Sequence, residues 1–450
     1  MIPPTLRIQT PPLWTGPVCA YPYSETLARQ FTVASRFDND TPMQLWSEID
    51  SDQGKLIGLP WNCCPPSAKD LRVSGTPVNL SAKIGPRDAE QERCFEEAWS
   101  FMSKGQSGVL QMPTGSGKTI VAYLLMTRLQ TTTCVIVPKD DLVDQWIERA
   151  KFALGLSPHE IGRIQGDALD VKGKPIVIAS LRSVFKQNRY PPWVYRYFGL
   201  VVVDEVHRIG ADLMSETMHR FYAKQRLGLS ATPKRADGKD LMIEAHIGPI
   251  RVSGTKMALK PKIIVVGTNW KCPRDKNGDR IPHTAGRLAL IFKSLSRNGP
   301  RNSQLCKAVQ AAYLKGRRTV LFSEHIDHHE MLESLLPKFG IKPTDIGRYY
   351  GPTTKAQNDN AAKKLVILAT PGKMAEGTDI PELDTLVLAM PRSNIEQIVG
   401  RILRIHPDKK PPIVFDFVDP DSHVLKSAAK RRMEFYRRIG AEVVEHTIAA

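Results

Sequence analysis

Two short stretches of this sequence carry residue types suited to handling phosphate. The first reads MPTGSGKT over residues 112–119. The small residues Thr114, Gly115, Ser116 and Gly117 let a backbone curl so that its N–H groups surround an anion. A helix starting just beyond them adds positive potential. Lys118 is suited to pair with β- and γ-phosphates, and Thr119 to ligate Mg²⁺. The second stretch, GLVVVDEVHRIG over residues 199–210, ends an apolar run in the adjacent carboxylates Asp204 and Glu205. Asp204 is suited to hold Mg²⁺, and Glu205 to orient or deprotonate an attacking water. Each stretch alone has an ordinary reading, a Gly/Ser-rich turn or a solvated acid pair at a strand end. Occurring together, they favour hydrolysis of a nucleoside triphosphate, ATP with Mg²⁺.

Such side chains need a scaffold that gathers them at one edge. GSGKT lies between the apolar run GVLQM and the helical pattern TIVAYLLMTRL, a strand–loop–helix passage. Short apolar runs recur at Gly108–Gln111, Cys134–Val137, Ile176–Ala179, Leu200–Val203 and Leu227–Leu229. A second series follows at Ile263–Val266, Val320–Phe322, Leu365–Ala369, Leu386–Ala389 and Ile413–Phe417. Alternating with helical stretches, they read as strands buried on both faces and predict an α/β fold with two parallel-sheet domains in tandem. In such sheets the carboxyl edge binds ligands, which is where Asp204 and Glu205 fall. The expected division is a small, partly β accessory domain over 1–82, α/β domains over 83–257 and 258–420, and a helical tail over 421–450. The segment 247–262, IGPIRVSGTKMALKPK, reads as the hinge, and Ser422 as a cap for the tail helix.

Bulk properties agree with this outline. A chain of 450 residues suggests two to four domains, and its 42% hydrophobic and 24% charged content is that of a globular protein. No apolar run approaches the roughly 18 residues that cross a membrane. Seven cysteines without a C-x-x-C pair suggest neither a zinc site nor a disulfide framework, and point to a reducing, cytoplasmic setting. The net charge of +17 suits a polyanionic partner. That charge lies late in the chain: residues 1–82 carry 6 Lys+Arg against 7 Asp+Glu, and residues 260–420 carry 26 against 16.

PTGSGKT, DEVH, LSATP (229–233) and Gln397-x-x-Gly400-Arg401-x-x-Arg404 stand in the order and at the intervals of the superfamily 2 helicases and translocases. Residues 83–420 resemble that family, with further matches in VPKDDLVDQW (137–146), VIASLRSV (177–184), TVLFSEHIDHHEMLESLL (319–336) and ILATPGKMAEGTDIP (367–381). The resemblance implies two RecA-like domains with ATP held between them. It implies that His207 links the γ-phosphate to Ser230 and Thr232, coupling hydrolysis to domain movement. Gln397, Arg401 and Arg404 would approach the γ-phosphate, with Arg404 as an arginine finger, and Gly377 and Asp379 would line the same cleft. Pro138, Lys139, Ser180 and Thr370 would contact a nucleic-acid backbone. Relatives read adenine with a Gln ahead of the loop; here the text is Arg87-Asp88-Ala89-Glu90-Gln91, so either Glu90 or Gln91 takes that place. DEVH and RLGLSATPKRADG resemble the UvsW-like and XPB-like group. That implies a DNA partner, forked or four-way, processed by fork reversal or branch migration.

The segment NWKCPRDKNGDRIPHTAGR (269–287) offers two readings, a solvated loop or a protruding basic element that splits duplex DNA. Asn277-Gly278 favours a tight turn, with Lys271, Arg274, Lys276 and Arg280 around it. In the tail, Lys426, Lys430, Arg431, Arg432, Arg437 and Arg438 could extend a basic track, but apolar neighbours favour helix docking. Trp14, Tyr21, Tyr23, Trp46 and Trp61 could stack on bases, although core packing suits most of them better. Three other functions share these motifs: an RNA helicase, a restriction-type translocase, for which no nuclease pattern accompanies the motor, and a nucleotide-binding clamp without hydrolysis, against which Glu205, Arg401 and Arg404 speak.

Overall fold

The aliphatic and β-branched runs form strands because their side chains are buried on both faces, which only a sheet covered by helices on each side allows. The computed structural model describes all residues except 1, 34–41, 53, 114, 187, 210, 232–239, 255–258, 275–284, 376–379, 394, 404, 405, 407, 408 and 447–450. One unit holds Met1–Pro113 and Gly117–Thr255, and the other Thr114–Ser116 and Lys256–Ala450.

In the first unit the strands run in spatial order Ala168–Asp170, Ile161–Gln165, Ile176–Ser180, Thr133–Val137, Leu200–Val203, Gln225–Ser230, Gly108–Gln111 and Ile250–Ser253. All pairs are parallel except the hairpin at the Ala168–Asp170 edge. Part of the expected hinge is therefore the last strand of this sheet: Ile250–Ser253 pairs with Gly108–Gln111. Two apolar cores lie on its faces, one holding Leu110, Val121, Leu125 and Trp146, the other Val109, Ile136, Val203 and Phe198.

Residues 1–82 form a four-stranded antiparallel sheet, Trp14–Thr15, Cys19–Pro22, Gly54–Leu59 and Ser47–Ser51, with a two-stranded piece at Thr32–Val33 and Met43–Gln44. This module shares a core with helix Asp240–His246 through Met242 and Ala245. It is also tied to strand Gln225–Ser230. Arg226, fully buried, donates to the carbonyls of Pro17, Met218, Phe221 and His246 at 2.8–3.2 Å. Its guanidinium stacks 3.6 Å from the Trp61 ring centroid, with Arg72 at 4.8 Å from that ring. Trp61 and Tyr21 are thus committed to packing, with Trp61 Nε1 donating to the Gly16 carbonyl and Tyr21 OH to that of Thr10.

The second unit is a seven-stranded, wholly parallel sheet in the order Ile346–Tyr349, Val366–Ala369, Thr319–Phe322, Thr385–Leu388, Ile413–Val418, Lys262–Gly267 and Glu442–His446. The tail is more than a helix: after His423–Arg438 it returns as strand Glu442–His446 to extend the sheet beside Lys262–Gly267. Ser422 does occupy the N-cap position of that helix, but its hydroxyl is buried and makes no cap bond. Two of the basic tail residues are not available as a track. Arg432 is buried, and Arg438 pairs with Glu396.

Candidate active site

Parallel strands bring their carboxyl ends to one edge. Read along the centre of the first sheet, that edge presents Ser180, Pro138, Asp204, Ser230 and Met112 in succession. The loop after Gly108–Gln111 turns into helix Lys118–Leu129 with Gly115 at φ +82° and Gly117 at φ +88°, a region that side chains with a Cβ rarely enter. A Cβ on Gly117 would also lie 2.1 Å from Gln91 Nε2. Lys118 Nζ donates to the Met112 carbonyl at 3.0 Å, so its ammonium lies in the curl of the loop.

Of the two residues considered ahead of the loop, Gln91 contacts it. Its Nε2 donates to the Gly117 carbonyl at 3.3 Å and its Oε1 accepts from Arg87 N–H at 2.6 Å. Asp88 starts the helix Ala89–Met102 by accepting from the Gln91 N–H. Glu90 turns elsewhere and pairs with Arg93 at 2.9 Å.

Strand Leu200–Val203 ends at Asp204, which is 9% exposed. Its Oδ2 accepts from Trp146 Nε1 at 2.8 Å and its Oδ1 from the Glu205 N–H at 2.9 Å. Burial pushes the Asp204 carboxyl well above the usual range and the adjacent Glu205 charge adds to this, against the Trp146 hydrogen bond and Lys118. Glu205 itself adopts φ +46°, a backbone cost of about 1–3 kcal/mol that sharply redirects the chain after the strand. Glu205 Oε2 is buried and accepts no hydrogen bond from the described residues. It lies 3.4 Å from His207 Nδ1, which bonds Ser230 Oγ at 2.8 Å instead.

The oxygen donors present suit a hard divalent cation. Asp204 and the Thr119 hydroxyl supply oxygen ligands, and the buried pair of adjacent carboxylates carries negative charge that such an ion would offset. Among the described residues no group of three or more His, Cys, Asp or Glu could hold a metal by itself.

Comparison with known proteins gives this edge its context. Residues 83–235 match the family described as Type III restriction enzyme, res subunit. The chain is 28% identical over 420 residues to L396 of Acanthamoeba polyphaga mimivirus, an ATP-dependent RNA helicase by its assigned name, covering 90% of this chain and 80% of that one. It is 24% identical over 426 residues to the DNA 3'-5' helicase XPB of Mycobacterium tuberculosis, covering 89% and 72%. The chain resembles superfamily 2 helicases over most of its length. Its fold is shared with the structure of S. cerevisiae Dbp5 bound to RNA and ADP BeF3, at a TM-score of 0.52 and 12% identity over 81% of this chain and 94% of that one. Both of the chain's sheets are therefore RecA-like. Helicases of the kind it resembles use ATP and bind nucleic acid.

The structure gathers Gly117, Lys118, Thr119, Asp204, Glu205, His207 and Ser230 at the carboxyl edge of the first sheet, with Gly115 and Ser116 in the loop just before them in sequence. Pro138 and Lys139 follow strand Thr133–Val137 and are half-buried. Ser180 is fully buried and its hydroxyl donates to Asp140, so it offers no free hydroxyl to a passing strand. In the second sheet Thr370 follows Val366–Ala369, and the short helix Glu396–Ile402 carries positions 397 and 401 one turn apart. Positions 114, 232, 276, 280, 377, 379 and 404 lie outside the described residues, as does the tight turn expected at 277–278. Lys271 and Arg274 are exposed, while Trp270 beside them is buried among Cys272, Ile291, Leu295 and Leu425.

Two supporting residues escape a motif-based reading. Trp146 and Arg149, three apart on helix Asp141–Leu154, face the same edge; Arg149 donates to Thr119 Oγ1 at 3.1 Å. Trp146 falls inside the quoted VPKDDLVDQW, yet nothing in spacing alone says that its indole N–H serves a carboxylate 58 residues on.

Proposed function

We propose that this chain is a helicase, an ATP- and Mg²⁺-dependent DNA motor that remodels branched DNA, reversing forks and migrating four-way junctions in replication, recombination or repair. The observation that carries the hydrolytic part is Glu205. Its buried carboxylate oxygen, without a hydrogen-bond donor beside Asp204, is disposed to take a proton from water. In this reading the Gly115–Lys118 backbone and the Lys118 ammonium hold the phosphates, and Asp204 with Thr119 holds Mg²⁺, which when bound neutralises charge developing on the phosphates. Glu205 orients the water. His207 passes the state of the site to Ser230 and Thr232, and Gln91 supports the loop from the adenine side. Gln397, Arg401 and Arg404 act on the γ-phosphate, with Gly377 and Asp379 beside it. Pro138, Lys139, Thr370 and the basic residues around 271–280 follow the DNA backbone, a contact that ignores sequence. Branch migration suits a motor of this size, because each pair opened, at about 1.4 kcal/mol of stacking, is matched by one formed.

The same reading divides the helicase into an accessory module (1–82), two motor domains (83–257 and 258–420) and a tail (421–450), working in the cytoplasm. It is supported by seven free cysteines, and by the finding that among the described residues no helix is long and apolar enough to cross a membrane.

The test compares ATP-driven remodelling of a model fork, a four-way junction, a tailed DNA duplex and a tailed RNA duplex, with phosphate release measured alongside. The fork and junction should be processed best, and Lys118→Ala or Glu205→Gln should abolish both readouts. The name of the mimivirus relative favours RNA as a second reading, and preference for the tailed RNA duplex would establish it in place of branched DNA.

A further inference from the structure

Helix His423–Arg438 buries Leu425, Ala429, Arg432 and Tyr436, the spacing of one apolar stripe with an arginine set into it. A guanidinium in a stripe that would accept Leu or Met is costly, and its contacts show what it reaches. Arg432 Nε bonds both oxygens of Asp416, at 2.9 and 3.1 Å, and Tyr436 OH bonds the same carboxylate at 3.0 Å. This cluster fixes Arg432 against strand Ile413–Val418. From there its Nη1 donates to the carbonyl of Arg392 at 2.9 Å. The Arg392 side chain is held in turn by Glu324 at 2.6 Å, beyond strand Thr319–Phe322. Six residues further along the tail helix, Arg438 pairs with Glu396, the first residue of helix Glu396–Ile402.

One tie holds the chain four residues ahead of a helix only seven residues long, and the other holds the helix's first residue. So short a helix does not hold its shape or direction unaided. Its apolar face packs through Ile398, Val399 and Ile402 onto the core that contains Phe435 and Tyr436 of the tail helix. Packing fixes the depth of such a helix, whereas the two tail arginines fix where it begins and therefore where position 401 projects.

We propose that Arg432 and Arg438 are positioning residues for ATP hydrolysis: the C-terminal helix is a brace that aims the arginine-bearing helix Glu396–Ile402. The inference rests on the assignment of Arg401 to the γ-phosphate made above. A misplacement of about 1 Å in a group that acts in the transition state costs up to about a hundredfold in rate. Arg432→Met is therefore expected to lower kcat for ATP between about tenfold and a hundredfold while KM stays within about twofold.

Arg432→Met also strands Asp416, so a second arm uses the exposed pair, whose loss hardly affects stability. Arg438→Glu and Glu396→Arg should each lower kcat without moving the thermal midpoint, and the two together should restore it. Arg401→Ala serves as the control. If Arg401→Ala leaves kcat unchanged, the γ-phosphate assignment has failed. If Arg401→Ala lowers kcat but Arg438→Glu does not, or the charge exchange fails to restore it, the brace is overturned, whether or not Arg432→Met folds.

Discussion

Trp146→Phe isolates one contact that links packing to chemistry. The indole N–H is the donor to Asp204 Oδ2 at 2.8 Å, and both groups are buried. Phenylalanine retains an aromatic ring against Tyr123, whose ring centroid lies 5.3 Å away in an edge-on arrangement, but supplies no donor. Asp204 keeps only the Glu205 N–H on its other oxygen. A hydrogen bond to a charged group is worth about 1.5–3 kcal/mol. At 1.36 kcal/mol per tenfold, that is a factor of about 10 to 150. The effect is best read locally, because a chain of two units need not unfold in one step. Hydrogen exchange of the Leu200–Val203 amides should accelerate by that factor, since this strand ends at the orphaned carboxylate. Phosphate release at saturating ATP should fall as Asp204 loses its fixed orientation. Unchanged exchange in this strand together with unchanged turnover would refute the claim that Trp146 holds Asp204 in place.

Gly117→Ala should weaken nucleotide binding, because the new Cβ meets Gln91 Nε2 at 2.1 Å and the φ of +88° is unfavourable for alanine. Adding Gln91→Ala removes the clash but not the backbone cost, so binding measured by titration calorimetry should recover only in part. Arg226→Met leaves four buried carbonyls without their donor, a cost of at least about 3 kcal/mol. Limited proteolysis should then cleave within residues 1–82 faster, with the second sheet unaffected. Acid should weaken the second unit: burial, with Arg301 nearby, lowers the His328 pKa to about 3, and burial lowers that of His329 to about 4. Both folded values lie below the ordinary 6.5, so the unfolded chain binds more protons. Stability is complete above pH 6.5 and falls as the pH drops towards 4. Thermal midpoints across that range should show the loss, and His329→Gln should reduce it.

The motor was legible in the sequence because its parts are local. The doubly buried strands wrote themselves as apolar runs, and all ten expected runs fall on strands of the two sheets. The loop at 112–119 and the pair Asp204-Glu205 needed only those strands to be placed correctly. Strands at or next to the edges were less visible: Ile161–Gln165 and Ile346–Tyr349 carry Arg and Gly among their few residues, and Ile250–Ser253 hid in a segment whose Gly and Pro read as a hinge. Contacts far apart in sequence were not visible at all. The contact of Gln91 with the loop depends on which side of a helix faces a residue 26 positions later. Arg432 looked like one more charge in a basic tail, because composition does not reveal that Asp416 and a backbone carbonyl await it inside the fold.

The position of Arg226 has a mechanical meaning. It stands near the start of strand Gln225–Ser230, clamped to the accessory module by Trp61 and the Pro17 carbonyl, and the same strand ends at Ser230, the partner of His207. The four residue steps from Arg226 to Ser230 span about 13 Å of extended chain. Neighbouring strands are paired to it on both sides, so it transmits a push along its axis with little give. One strand thus joins the clamp on residues 1–82 to the edge that bears Ser230.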